Sequence, residues 1–190
     1  MHQLFDALFE GQDPAAMRSE SREIPFEVFG IGSAQGADQV GWRVLDRLLD
    51  RWHCDAARLH RLETPLDLLG FAAGMGIAER ATQTWVLVDA CLGESLGKVH
   101  CWRWPAVPES ALPSGGVSSH GIGLIDALRL GQELGILPEF VWIYGIEIGD
   151  FQSTECDRSH SIDWKPNEQF QAAIATCASK IASRCVGSVR

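Results

Sequence analysis

The chain has 190 residues, of which 46% are hydrophobic and 22% are charged, a balance typical of one soluble globular domain with a sizeable core. Its 25 acidic and 16 basic residues give a formal charge of −9, which argues against nucleic acid or an anionic membrane surface as the main partner. No apolar run is long enough to span a bilayer, and the first residues do not resemble a secretory signal. The six cysteines contain no C-x-x-C pair, so we expect reduced thiols and a cytoplasmic protein.

A glycine-rich turn is the feature around which the rest of the chain is organised. The first predicted strand, residues 25–29, ends in this turn, and an amphipathic helix follows the turn. Gly30, Gly32 and Gly36 permit a positive φ or a close approach of two backbones. Asp38 stands at or near the helix start, where it is either a helix cap or a functional carboxylate at the rim of a cleft.

Strands alternate with helices along the remainder of the chain. We predict further strands at residues 56–62, 84–90, 97–104 and 140–147, and further helices at residues 64–80, after 118–120 and from 166 onward. The predicted buried stripes include Val44, Leu48 and Leu49 in the first helix and Leu124, Leu128 and Leu134 in the third. Ser118 or Ser119 is expected to cap that third helix.

This order of elements predicts the fold and the domain organisation. Alternating strands and helices favour an α/β three-layer sandwich, in which a mainly parallel twisted sheet of about five strands has helices on both faces. Residues 1–23 are polar and mixed in character. We therefore predict an N-terminal arm over residues 1–23 and a single α/β domain over residues 24–190.

Three polar residues follow predicted strands at the edge where α/β proteins build their sites. Asp38 follows the first strand, His60 lies near the end of the second, and His120 lies in the turn before the third helix. A carboxylate and two imidazoles would make an open site for nickel or zinc. A histidine at such a position, taken alone, is more often a surface residue or a hydrogen-bonded core residue than a metal ligand.

Several other classes of protein are disfavoured by the motifs. The third glycine of a dinucleotide-binding G-x-G-x-x-G motif would fall at Gln35, so a Rossmann dehydrogenase is not expected. Ser33 does not lie in a G-x-S-x-G elbow, and the chain has no G-x-x-x-x-G-K-[ST] phosphate loop.

Five segments together resemble one known family. Residues 30–41, GIGSAQGADQVG, resemble the G-x-G-N … D-[DE]-x-x-G signature of the hydrogenase maturation proteases. Residues 60–68 are similar to the H-Q-L-T-P-E-L form of the family's second motif. Residues 88–90 are similar to the buried strand end of the family, which has the sequence D-A. Residues 119–124 resemble the S-P-H-x-L-G-L segment, and residues 144–147 the G-I-E strand end. The five segments occur in the family's order.

The resemblance assigns roles to three residues. Asp38 matches the second acid of the family's acidic pair, and His120 matches the metal-binding histidine, so both are expected at the catalytic centre. His60 falls where many members have Asp, which leaves it either a third metal ligand or a structural residue. Ser33 replaces the usual Asn, Ala37 replaces the first acid of the pair, and the turn is one residue shorter.

The family comparison also implies a function. Members are endopeptidases that remove the C-terminal extension of a nickel-iron hydrogenase large-subunit precursor after nickel insertion. Nickel would then be carried by that partner and not held as a resident cofactor, and it would act in recognition or in the chemistry itself. The alternative is a non-catalytic metal-binding or large-subunit-binding chaperone of the same fold.

Overall fold

The structure, a computed structural model, describes residues 26–52, 55, 58–108, 122–149 and 164–187. The predicted arm at residues 1–23 and the predicted site residue His120 lie outside these ranges. Within them are five strands and five α-helices, namely β1 (Phe26–Ile31), α1 (Val40–Trp52), β2 (Leu59–Leu62), α2 (Asp67–Gly74), α3 (Ile77–Ala81), β3 (Thr84–Cys91), β4 (Val99–Arg103), α4 (Leu124–Glu133), β5 (Phe140–Glu147) and α5 (Glu168–Gly187).

The five strands form one sheet in the order β2-β1-β3-β5-β4. Every pair is parallel except β4 with β5, so β4 is an antiparallel edge strand. This confirms the predicted α/β fold with a mainly parallel sheet. None of the helices in the described ranges is long and apolar enough to cross a bilayer.

Two apolar cores, one on each face of the sheet, make the fold a three-layer sandwich. On one face, α1 and α5 cover the sheet, with Val44, Leu48 and Ile181 fully buried. On the other face, α2 and α4 cover it, with Leu68 and Leu128 fully buried. The near-continuous apolar sequences of β3 and β5 follow from this arrangement, because strands covered on both faces need apolar residues at successive positions.

The second predicted helix, residues 64–80, is wrong as a single element. Met75 and Gly76 adopt extended backbone conformations and separate α2 from α3. Gly74 and Gly76 flank this break, and two glycines so close together lower the helix propensity of the segment. The helix also begins at Asp67, where the Asp67 carboxylate accepts a hydrogen bond from the Thr64 N–H at 2.8 Å.

Three expectations about helix surfaces and ends are also corrected. Leu49 and Leu134 are 44% and 59% exposed, because Leu48 occupies the core position in α1 and Leu134 follows the last residue of α4. The cap of α4 is Gly123, with no side-chain hydrogen bond, so the helix begins after the predicted Ser118 or Ser119 cap.

Candidate functional site

The turn after β1 places Asp38 at the carboxyl edge of the sheet. A single turn of 3₁₀ helix, Gly36–Gln39, connects the strand to α1, and Gly36 has a φ of 50°. Gly32 lies so close to Asp38 that an added Cβ would overlap the Asp38 carbonyl oxygen. Glycine is therefore favoured at Gly36 by the backbone conformation and required at Gly32 by the lack of space.

The sheet order makes this edge a topological switch point. β1 and β3 are neighbours in the sheet, but the chain leaves them in opposite directions. From β1 it continues through α1, on one face, to β2, whereas from β3 it continues to β4 and then through α4, on the other face, to β5. Loops that leave two adjacent strands toward opposite faces open a crevice at their carboxyl ends, and ligands of α/β proteins bind there. Asp38, after β1, and Asp89, near the end of β3, both lie at this crevice.

Asp89 is the strongest electrostatic feature of the crevice. Burial raises the pKa of the Asp89 carboxyl group from 3.8 to about 8, and the negative charge of Asp38 adds to this shift. The hydrogen bond that Asp89 Oδ1 accepts from the Ala90 N–H, at 2.8 Å, acts in the opposite direction. Two carboxyl groups of which one holds its proton at neutral pH are typical of catalytic or cation-binding sites.

The sequence reasoning left Asp89 out of the predicted site. The sequence did contain a signal for this residue, because Asp89 is the single acid in the apolar run of β3 and lies near the carboxyl end of that strand. The family comparison matched this strand end to a buried D-A pair without giving the acid a role. The proximity of Asp89 to Asp38 follows from the pairing of β1 with β3, which the sequence does not display.

His60 lies within β2, opposite Phe29 of β1. Its Nε2 atom is 2.7 Å from the Glu27 carboxylate, and its ring packs against Phe29 and Phe71 at centroid distances of 5.0 and 4.6 Å. These contacts belong to the structural role that the sequence left open. The assignment of His60 as a metal ligand stays a prediction.

The structure thus brings together Asp38 and Asp89 and gives His60 a protein partner. Across the described ranges, no group of three or more His, Cys, Asp or Glu side chains is arranged to hold a metal ion. The predicted ligand set of Asp38, His60 and His120 includes one residue outside those ranges and remains a prediction.

A second polar cluster lies at the end of β5. The buried Glu147 carboxylate contacts His100 Nε2 at 2.5 Å and accepts a hydrogen bond from the Ser95 N–H at 2.6 Å. Burial alone would raise the pKa of Glu147, but the hydrogen bonds from His100 and Ser95 outweigh it and hold the pKa below 4.5. Glu147 therefore fixes the loop between β3 and β4 against the carboxyl edge of the sheet.

Solved structures of hydrogenase maturation proteases share this fold. HycI from Thermococcus kodakarensis KOD1 is 21% identical, with a TM-score of 0.54 over 86% of this chain and 93% of that one. HybD from E. coli is 18% identical, with a TM-score of 0.51 over 86% and 94%. HybD from Thermococcus kodakarensis is also 18% identical, with a TM-score of 0.51 over 84% and 97%. The chain therefore has the fold of the hydrogenase maturation proteases over nearly their whole length.

The same fold is found in at least one other kind of hydrolase. A peptidyl-tRNA hydrolase from Acinetobacter baumannii is 14% identical, with a TM-score of 0.50 over 88% of this chain and 89% of that one. No family model matches the chain, and no curated protein matches it at a significant level. Function must therefore be argued from the crevice residues.

Proposed function

We propose that the chain is an endopeptidase that removes the C-terminal extension of a nickel-iron hydrogenase large-subunit precursor after nickel insertion. The observation that carries this proposal is the pair of carboxyl groups, Asp38 and Asp89, at the switch point of a fold shared with maturation proteases. The ordered resemblance of five sequence segments to that family supports it independently of the structure.

The donor atoms at the crevice suit a divalent cation. A positive ion between Asp38 and Asp89 would replace the repulsion of their charges by attraction, so Asp89 would give up its proton on binding. Carboxylate oxygens and an imidazole nitrogen are ligands that nickel accepts. We assign the imidazole to His120, on the family resemblance, and the carboxylates to Asp38 and Asp89.

In this proposal nickel belongs to the substrate, and the chain's residues recognise it. Contact with the ion would hold the precursor so that its scissile peptide bond lies at the carboxyl edge of the sheet. Holding a reacting group in a productive position supplies a large part of many rate enhancements. A carboxyl group with a pKa near neutrality, as at Asp89, is also suited to proton transfer.

The test is incubation of the protein with nickel-loaded and nickel-free precursor, followed by intact-mass spectrometry. We expect only loaded precursor to lose its C-terminal extension, and we expect Asp38→Asn, Asp89→Asn and His120→Ala to abolish this loss. Asp126→Asn is the matched control, since Asp126 lies on α4 in an exposed ion pair with Arg129. Equal trimming of both precursors would overturn the nickel requirement. Tight binding of loaded precursor without cleavage would favour the chaperone alternative.

A further inference from the structure

A polar groove lies beside the Asp38 turn, between the first turns of α1 and the end of β2. It encloses about 160 Å³, and its lining residues are Ala34, Gln39, Trp42, Arg43, Asp46 and Arg61. We call it the arginine groove. A second cavity, of about 430 Å³, adjoins it at Arg43 and is also lined by Trp164, Lys165 and Pro166.

The charges in the arginine groove do not balance. Arg61 donates a hydrogen bond to Asp46 Oδ1, and Arg43 Nη1 lies 3.8 Å from Asp46 Oδ2. The Asp46 carboxylate thus contacts two guanidinium groups, which leaves one positive charge without a counter-charge among the lining residues that the structure describes. Lys165 adds a further positive charge at the adjoining cavity. The surface around the groove is therefore locally positive, although the formal charge of the whole chain is −9.

Both guanidinium groups are held in place before any ligand arrives. Arg43 Nη2 donates to Gln39 Oε1 at 3.0 Å and to the Trp164 carbonyl oxygen at 3.3 Å. The Arg61 guanidinium lies over the Trp42 ring, 5.7 Å from its centroid. Donors that are already ordered lose little conformational entropy when they bind a further acceptor.

We propose that the arginine groove binds a carboxylate of a peptide chain, either an Asp or Glu side chain or a free C-terminal carboxylate. A planar guanidinium matches a carboxylate in shape and charge. Within the arginine groove itself the excess is one positive charge, since Lys165 lies in the adjoining cavity, and one charge suits a monoanion better than a phosphate dianion. Gln39 and Ala34, which line the groove, belong to the same turn as Asp38. The groove is therefore placed to hold a peptide beside the crevice, and its role as a substrate subsite rests on the proposed function.

Binding can be tested with short peptides and the metal-free protein, without any cleavage. The reporter is the indole N–H signal of Trp42, which donates to the Leu62 carbonyl oxygen at 3.1 Å, in ¹H–¹⁵N spectra. We expect it to shift with acetyl-Ala-Glu-Ala-amide or with acetyl-Ala-Ala-Ala carrying a free carboxylate, and to stay unchanged with acetyl-Ala-Gln-Ala-amide. The carboxylate peptide that binds more tightly identifies the source of the ligand group. Equal shifts with all three peptides, or none, would overturn the proposal.

Three variants distinguish peptide binding at the arginine groove from a general effect of surface charge. Arg61→Met should weaken binding roughly tenfold or more, because it removes a charge-assisted hydrogen bond. Asp46→Asn should strengthen binding, since it removes the carboxylate that competes for both arginines. Arg129→Met makes the same charge change on α4, in another exposed ion pair, and should have no effect.

The outcome for Asp46→Asn decides the question even if Arg61→Met unfolds. Unchanged or weaker peptide binding by a folded Asp46→Asn variant would contradict the proposal, as would an equal loss in Arg129→Met. Because only peptide binding is measured, a negative result leaves the cleavage proposal standing. Failure to cleave a nickel-loaded precursor would likewise leave the groove as a peptide-binding site.

Discussion

His60 Nε2 and Glu27 Oε2 lie 2.7 Å apart, so an imidazole on β2 partners a buried carboxylate on β1. Glu27 precedes Phe29 by two residues, which places its side chain on the same face of the sheet as the ring that stacks on His60. Arg58 Nη1 lies 3.5 Å from the other Glu27 oxygen. His60 therefore provides a hydrogen-bonding partner for the Glu27 carboxylate, and burial of a carboxylate without such a partner would destabilise the fold.

The first prediction follows from this contact. We expect His60→Ala to lower the free energy of unfolding by about 2–3 kcal/mol, because Glu27 loses its hydrogen-bonding partner and Phe29 and Phe71 lose a packed ring. Urea unfolding measures this loss. Nickel titration of the same variant tests the ligand prediction, with Asp38→Asn as the comparison. If His60→Ala keeps its stability but loses as much nickel affinity as Asp38→Asn, His60 is a ligand and the structural interpretation is wrong.

The second prediction concerns pH and the carboxyl group of Asp89. Between about pH 4 and pH 8 the folded protein holds a proton at Asp89 that the unfolded chain has lost. The stability of the metal-free protein must therefore fall as the pH rises through this window. Asp89→Asn cannot ionise, so it should match the parent near pH 4 and exceed it increasingly up to pH 8, where the difference should be on the order of 4–6 kcal/mol.

Urea unfolding at several pH values in the presence of a chelator measures this difference. Asp126→Asn, at an exposed position on α4, should leave the pH profile of the parent unchanged. A parent and an Asp89→Asn variant with parallel profiles from pH 5 to 8 would show that Asp89 ionises normally.

Glu147 gives a pH dependence of the opposite sign. Its pKa is held below 4.5 in the fold, so its contribution to stability is complete above that value and is lost as the pH falls below it. Glu147→Gln should cost about 2–3 kcal/mol at pH 7, since the buried contact with His100 loses its charge and the Ser95 N–H loses its strong acceptor. This cost should shrink as the pH falls below 4.5.

A neighbouring ion pair supplies the control for Glu147. Lys98 Nζ lies 3.9 Å from Glu147, but its side chain is 58% exposed. Lys98→Gln should therefore change stability by less than about 0.5 kcal/mol. A cost of Glu147→Gln that is equally small, or that does not vary with pH, would mean that the carboxylate does not fix the loop.

The fold was predictable because its signals are local and repeated. The apolar runs of β3 and β5 are visible in the sequence, and so are the buried positions Val44 and Leu48 of α1, which the structure confirms. The break between α2 and α3 was missed because Leu68, Ala72 and Met75 keep a helical spacing up to the break, and two glycines only lower helix propensity.

The site was predictable only in part, since it depends on which strands become neighbours. The sequence places Asp38 after a strand, and the structure confirms that position. The partnership of Asp38 with Asp89 requires β1 and β3 to be adjacent, although α1, β2 and two further helices separate them in sequence. The contact of His60 with Glu27 likewise depends on the register between β1 and β2.

The last prediction tests the close packing that holds the Asp38 turn. A Cβ added at Gly41 would overlap the Ile31 carbonyl oxygen and lie 2.7 Å from the Val88 carbonyl oxygen, and both of these are backbone atoms. Helix α1 can therefore approach β1 and β3 this closely only with glycine at this position. We expect Gly41→Ala to lower the free energy of unfolding by about 2–4 kcal/mol, because strands buried within the sheet cannot shift to make room.

Gly70 is the matched control, since it lies inside helix α2 and a Cβ there meets nothing within 4 Å. Gly70→Ala should raise the free energy of unfolding by about 0.5–1 kcal/mol, through the lower backbone entropy of the unfolded chain. The two variants make the same chemical change with opposite expected signs, so thermal and urea unfolding distinguish them clearly. A Gly41→Ala variant as stable as Gly70→Ala would show that α1 does not pack against the ends of β1 and β3 as described, and the position of Asp38 beside Asp89 would then be wrong as well.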